Sequence, residues 1–484
     1  MGMFFSTGET KKRPGTYQRY ENIGKTSESD TYNGIAAAVI TADWGPLGTP
    51  DGSPLGKVIS MSDDSEISKY FGSAGTTKVL HELFIGGASS VIAVRAGSGG
   101  TVGSITLKDT GDTPAEAITI TLKYPGSRKF QCLLRDSLTD ESKREFILFE
   151  NSIAIEKIPF ALSTNGEVDA LIAAGADSDY LLFKKADKYS GNGKLAAVPQ
   201  TNITPGTDPT VTNESYSNAL SLLEGYRFNT ICLDTNDSSV HALLQGFVDR
   251  IFNDGKMCLG VVGEPISVDY TTRLAHSAAY NDYKIIYVGT GWVDSDGNVH
   301  DGYYAAARIA GMVAAVASNA TLTHQEIADA VSPAEMLTNS QFDAAVDHGM
   351  MALSINSTDA VWIDYAITTL NAPSGEDDAG WKKIRRVKTR YELLQRCSNA
   401  TENLRVDNNT DGSTAVKQAV QGVLNAMVGE GKLASGATVS SDSSNKATGD
   451  SAWFIIQADD IDSLEKIYEV FQFRFSASRS TSTT

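Results

Sequence analysis

Strand-like apolar runs alternate with amphipathic helical stretches in two separated parts of this chain. A polypeptide patterned in that way builds a sheet that is at least partly parallel, because each helix carries the chain back to the same edge. In the first part, residues 35–41 are an apolar run and 58–61 a short strand. A helix is predicted over 76–84, stopped by Gly86 and Gly87, followed by a buried-type strand at 91–94. In the second part, helices are predicted at 216–224, 240–253 and 271–280, with strands at 228–233, 257–262 and 284–288. The middle helix is the clearest, since Leu243, Leu244, Phe247, Val248 and Ile251 recur at helical spacing. Residues 292–299 read as a hairpin around Asp294–Asn298.

Between the two parts the texture changes. After the Gly97–Gly100 stretch, residues 101–210 show short alternating segments at 104–108, 117–123 and 145–149, separated by turn signals and closed by a Pro-, Thr- and Gly-rich loop. A last unit starts near 360. Strands are predicted at 361–370, 383–388 and 453–457, and a second helix at 414–428. Thr389-Arg390-Tyr391-Glu392 reads as a capping box that opens the first helix, running to about Leu404. From Tyr468 the chain alternates again, with Phe471, Phe473 and Phe475 on one side. The fold class expected is therefore mixed α/β and α+β in several domains. Residues 34–100 and 211–359 form an α/β core domain, 101–210 an inserted β-rich outer domain, and 360–475 an α+β C-terminal inner domain. Extended arms are expected at 1–33 and 476–484. A length of 484 residues fits about two to four domains.

The chemistry of the sequence is mostly negative. A net charge of −18 argues against nucleic acid as a partner. No long uncharged apolar stretch predicts a membrane span, and the N-terminal pattern is not that of a signal peptide, so synthesis and folding in a cytoplasm are expected. Cys132, Cys232, Cys258 and Cys397 are far apart and lack metal-ligand spacing, so reduced, buried thiols are expected. Gly24-Lys25-Thr26 has the end of a phosphate loop, but Arg19 stands where its first glycine is needed. Asp294, Asp296 and Asn298 have the first spacings of a calcium loop, yet Val299 and Ala305 occupy its glycine and bidentate-acid positions. The six histidines form no HExxH, and no GxSxG occurs. No catalytic residue, cofactor or metal is predicted. The one charged concentration is basic: Lys382, Lys383, Arg385, Arg386, Lys388 and Arg390, directly after Glu376-Asp377-Asp378. It is either a solvated edge or a patch facing an acidic neighbour.

Several segments, taken in order, resemble the contractile tail sheath proteins of myovirus-type phages and related injection systems. Arg13-Pro14-Gly15-Thr16-Tyr17 is similar to the family's N-terminal R-P-G-x-Y, and Asp43-Trp44-Gly45-Pro46 to its D/E-W-G-P turn. Phe71-Gly72 with residues 81–95, the Ala/Gly-rich 301–317 followed by Thr321–Thr323, and 337–353 resemble further family segments, as do 361–370, 385–404 and the strand after Ile467. Thr368 stands where the family has Asn, and the acidic, Ser-rich 440–450 is a departure. The resemblance spans nearly the whole chain except 101–210.

The resemblance implies a structural subunit, not an enzyme, that polymerises helically as stacked hexameric rings around a tail tube, between baseplate and tail terminator proteins. Contraction from a metastable extended state would drive the tube through a target envelope. Such a subunit would sit in the tail of a virion or tail-like particle assembled in a bacterial cytoplasm, without membrane insertion. It also implies that terminal arms add strands to neighbouring copies. Intersubunit contacts are accordingly expected at Arg13, Pro14, Gly15, Tyr17, Phe471, Phe473 and Phe475, and ion pairs to a neighbour or the tube at the six cations of 382–390. The alternatives are a different structural assembly protein and a nucleotide-binding α/β enzyme.

Overall fold

The computed structural model describes residues 3–4, 17–18, 33–48, 57–372 and 379–473. Its centre is a seven-stranded sheet with strands β1 (Ile35–Ile40), β2 (Val58–Met61), β3 (Ser90–Arg95), β4 (Thr230–Leu233), β5 (Leu259–Gly263), β6 (Ile285–Val288) and β7 (Met350–Met351). The spatial order is β7-β6-β5-β4-β1-β3-β2, parallel throughout except that β2 runs antiparallel on β3 at one edge. The chain first builds outward from β1 to one side, then returns at β4 on the other side. The two separated α/β stretches of sequence thus make one sheet, joined where Ala36 pairs with Thr230.

Strand alternation divides the core. Ala36, Ala38 and Ile40 of β1 face one layer and Ala37 and Val39 the other, and β3 divides in the same way. Helices α1 (Lys78–Ile85) and α3 (Gly302–Ala315) cover the first face, and α2 (Ser238–Asn253) with the helices Asn213–Leu223, Tyr270–Tyr280 and Asn339–Asp347 the second. Small residues let α1 and α3 approach closely: a Cβ on Gly311 would lie 2.2 Å from the Leu83 carbonyl oxygen. Within this contact Arg308 is buried and reaches Glu82 Oε2 at 2.7 Å and Asp329 Oδ1 at 3.1 Å. Its guanidinium lies over the Trp292 ring, so the charge is paired rather than stranded.

The stretch between the two halves holds two antiparallel sheets. One contains Gln131–Asp136, Lys143–Glu150, Ile153–Ala161 and Val198–Asn202; the other Ser104–Lys108, Glu116–Leu122 and Leu181–Lys185. The helix Glu167–Ala174 adds Val168 and Leu171 to their common apolar cluster. Trp44 comes from outside this stretch, on the turn after β1, yet it lies in that cluster with rings of Tyr124, Phe130 and Tyr180 around it. Behind it, buried Arg95 donates to the carbonyls of Ala42, Gly45 and Pro125, tying both sides of the junction together.

The C-terminal part contains α4 (Ile384–Glu402), α5 (Thr410–Gly429) and the hairpin Thr438–Ser441 with Phe454–Gln457. Four sequence expectations are corrected here. Residues 383–388 are not a strand: α4 begins at Ile384, and Ile384, Val387 and Tyr391 form the i, i+3, i+7 stripe that faces the core. Thr389 therefore does not open a helix. It lies inside α4, and its hydroxyl donates to the Arg385 and Ser318 carbonyls. The strand expected at 361–370 is only Val361–Ile363, because Thr368 and Thr369 turn away to bond Lys382 and Ile285 main-chain groups. Residues 468–473 form no strand, and their side chains are exposed.

Candidate functional site

A helix distributes neighbouring residues around its axis, so the basic run of 382–390 is split among different surroundings. Lys383, Arg386 and Arg390 share one face of α4, and on that face lies the segment after the C-terminal hairpin. Arg386 Nε meets Asp460 Oδ2 at 2.5 Å and its Nη2 meets Oδ1 at 2.9 Å, while Arg390 Nη2 reaches the same Oδ1 at 3.1 Å. Lys383 Nζ sits 2.9 Å from both Asp462 Oδ2 and Glu465 Oε2. Burial alone would raise the Asp460 carboxyl, but the Arg386 and Arg390 guanidiniums hold it below the usual carboxylate value. Asp462 and Glu465 are likewise held low against their burial, Asp462 chiefly by Lys383 and Glu465 by bonds from Ser463, Lys383 and Thr321.

The other cations serve elsewhere. Arg385 Nε donates to the Asn319 carbonyl at 2.7 Å. Lys388 points into the protein, where Nζ donates to the Val313 and Val316 carbonyls at the C-terminal end of α3. Burial pushes its amine down to about 7. Deeper on the same side, Glu392 accepts from Ser318, Lys432 and Arg396. Lys382 is half-buried, and burial lowers its amine against the attraction of Asp347.

Arg13, Pro14, Gly15 and Phe475 lie outside the described residues. Tyr17 belongs to the short strand Tyr17–Gln18, which pairs in parallel with Met3–Phe4. Phe471 and Phe473 are the end of an apolar run that leaves the molecule: Ile467, Tyr468, Val470, Phe471 and Phe473 are all exposed, Tyr468 by 89% and Phe473 by 92%. The residues missed by sequence reasoning are the acids of 460–465. Their spacing in Asp460-Ile461-Asp462-Ser463-Leu464-Glu465 is a visible signal, but nothing local says that they answer cations some 70 positions earlier.

Among the described residues no cluster of His, Cys, Asp and Glu could hold a metal, and the four thiols are free and buried. No described helix is long and apolar enough to cross a membrane. Residues 210–369 match the family described as phage tail sheath protein central domain. That stretch is similar to a tail sheath central domain, and the fold of the chain is the one seen in sheath tail proteins. The fold agreement extends well past that domain. A sheath tail protein from Desulfitobacterium hafniense superposes with a TM-score of 0.69 at 19% identity, covering 92% of this chain and 100% of that one. The helical sheath of the anti-feeding prophage in its contracted state superposes at 0.51 and 12% identity over 96% and 99%. In sequence, the uncharacterised protein YqbK of Bacillus subtilis (strain 168) is 22% identical over 399 residues, 80% of this chain and 79% of its own length.

Proposed function

We propose that this chain is the structural subunit of a contractile phage-type tail sheath and has no catalytic role. It polymerises helically as stacked hexameric rings around a tail tube, between baseplate and terminator proteins, in the tail of a virion or tail-like particle assembled in its host's cytoplasm. The observation that carries this reading, beside the sheath fold, is the exposed apolar run 467–473 at the end of the described chain. A soluble monomer has no use for such a run, whereas a neighbouring copy can bury it. A receiving edge is at hand. The hairpin Thr438–Ser441 with Phe454–Gln457 has only two strands, with Ile455 and Ile456 exposed, and a two-stranded sheet is marginal until a further strand joins it. Strand addition relies on main-chain hydrogen bonds and tolerates plain arm sequences.

In this reading the arms are 1–33 and 476–484, the core domain is 34–100 with 211–359, the outer domain 101–210 and the inner domain 360–475. Arg13, Pro14, Gly15, Tyr17, Phe471, Phe473 and Phe475 make intersubunit contacts. Of the basic cluster, Lys382 is the residue proposed to face a neighbour or the tube, since Lys383, Arg386 and Arg390 already meet carboxylates of their own chain. A head-to-tail interface that does not close generates the helix. Contraction needs no nucleotide, because an extended lattice held by a kinetic barrier releases work as subunits repack. Negative-stain electron microscopy of the purified chain, with and without residues 1–20 and 471–484, tests the proposal. Striated tubes from the full chain that vanish on truncation are expected. Dispersed particles from every form, at high concentration, would overturn it.

A further inference from the structure

The segment that precedes the exposed run is held in an unusual way. Residues 459 and 461 are tied by main chain, the Ala434 amide to the Asp459 carbonyl at 2.8 Å and the Ile461 amide to the Lys432 carbonyl at 3.2 Å. From there to Glu465 the attachment is almost wholly polar: three carboxylates on Lys383, Arg386 and Arg390, and Thr321 Oγ1 on Glu465 Oε1 at 2.9 Å. Apolar burial is nearly missing, since Leu464 is 81% exposed and Ile467 follows it into solvent. A cavity of about 300 Å³ lies alongside, lined by Tyr365, Lys383 and residues 463–466. The strap therefore lies on α4 without being packed into it.

Such a strap behaves differently from the rest of the fold. Ion pairs at a partly wetted surface are each worth little and weaken with salt, whereas the apolar clusters below are insensitive to it. If 460–465 lifts while 459 stays bonded, the Ile461 bond to Lys432 breaks together with the ion pairs, and about six residues are added to the free arm, roughly 20 Å of reach at the extended spacing of the backbone.

We propose that residues 460–465 are an electrostatic latch on α4 that keeps slack for the C-terminal arm and opens while the arm stays docked on a neighbouring copy. The inference rests on the sheath reading, in which subunits change separation without losing their tethers. Its partner is a second copy of this chain, which pulls on the arm, and the latch sets how far that copy can move before the tether tightens.

The test uses the full chain with Ser398→Cys on the exposed side of α4 and Leu464→Cys on the strap. The native cysteines are buried, so spin labels go to the introduced thiols. The label distance is measured by electron–electron double resonance from about 0.1 M to about 1 M salt, over which the screening length falls from ~10 Å to ~3 Å. One narrow distance at low salt that lengthens and broadens at high salt is expected. The variant D460N/D462N/E465Q is expected to be broad already at low salt. A narrow distance unchanged in both series overturns the latch. Tube formation by the unlabelled chain is scored separately. Tubes with an unmoving strap overturn the latch and leave the sheath reading standing. A mobile strap in a chain that forms no tubes removes the tether that gives the latch its purpose, and so overturns both.

Discussion

Trp44 offers the sharpest test of how the separated parts of this fold are joined. It stands on a turn of the central sheet, is 1% exposed, and packs edge-on against Tyr124 at 5.2 Å and Phe130 at 5.3 Å, with Arg128 over its ring at 5.6 Å. Trp44→Ala removes the largest side chain at the junction and leaves a cavity that the surrounding rings fill only in part. Truncations of this kind cost about 3–5 kcal/mol, and edge-to-face pairs of this geometry account for ~0.5–1.5 kcal/mol each of such losses. A chain with several apolar clusters is not expected to unfold in one step, so a single midpoint would blur the effect. Hydrogen exchange resolves it. At about tenfold per 1.4 kcal/mol, amides of Glu116–Leu122, Gln131–Asp136 and Lys143–Glu150 should exchange roughly 10²- to 10³-fold faster. Amides of β4, β5 and β6 should not change. Acceleration under tenfold in the first set, or equal acceleration in both, would refute the view that Trp44 belongs energetically to the cluster it enters.

Two further outcomes follow from the packing and burial. Gly311→Ala should destabilise the fold by about 1–3 kcal/mol, because the new methyl meets the Leu83 carbonyl; Gly246→Ala in α2, with nothing within 4 Å, should stabilise it by ~0.5–1 kcal/mol. Equal changes in hydrogen-exchange protection of the β4, β5 and β6 amides for the two variants would contradict the close approach of α1 and α3. Lys388, with its amine near 7 in the fold against 10.5 when exposed, binds fewer protons folded than unfolded between those values. Its contribution to stability must therefore rise as pH goes from about 7 to about 10; Glu392 nearby favours its charged form and Lys432 opposes it. Lys388→Met should lose this part of the pH slope in denaturant titrations; parallel curves for the two proteins would show that the amine stays charged.

The central sheet was largely legible because its periods are simple. The apolar run of 35–41 and the helical stripe of 240–253 carry to the structure with shifts of a residue or two at their ends. The start of α4 was hidden because a lysine occupies a core-facing position of its apolar stripe. Lys388 is tolerated there only because α3 ends beside it with unpaired carbonyls, and no local signal announces that. The capping-box pattern at Thr389 was misleading for a related reason, since a mid-helix threonine can satisfy its hydroxyl on the preceding turn. Trp44 was read as part of a turn, which it is, but its destination in another apolar cluster depends on the long-range approach of Tyr124, Phe130 and Tyr180. The six cations were read as one patch because they are adjacent in sequence. A strand would have put them on two faces; instead three go to the strap, one to the core and one to a neighbouring loop, while Lys382 stands half-buried ahead of the helix. The alternation of 468–473 is that of a strand, yet those residues form no strand pairing among the described residues, which is what a segment meant for another copy would show.

That last point is the centre of the account, and one measurement addresses it. A photoreactive phenylalanine analogue is placed at Phe473, and assembled material is irradiated and resolved by denaturing electrophoresis with mass spectrometry of the linked peptides. A ladder of covalent dimers, trimers and higher species is predicted, with linkage into residues 438–457 of another copy, and the ladder should disappear when assembly is prevented. Linkage confined to the same chain, or none beyond that of a control probe at exposed Leu138, would contradict the claim that this run is completed by a neighbouring subunit.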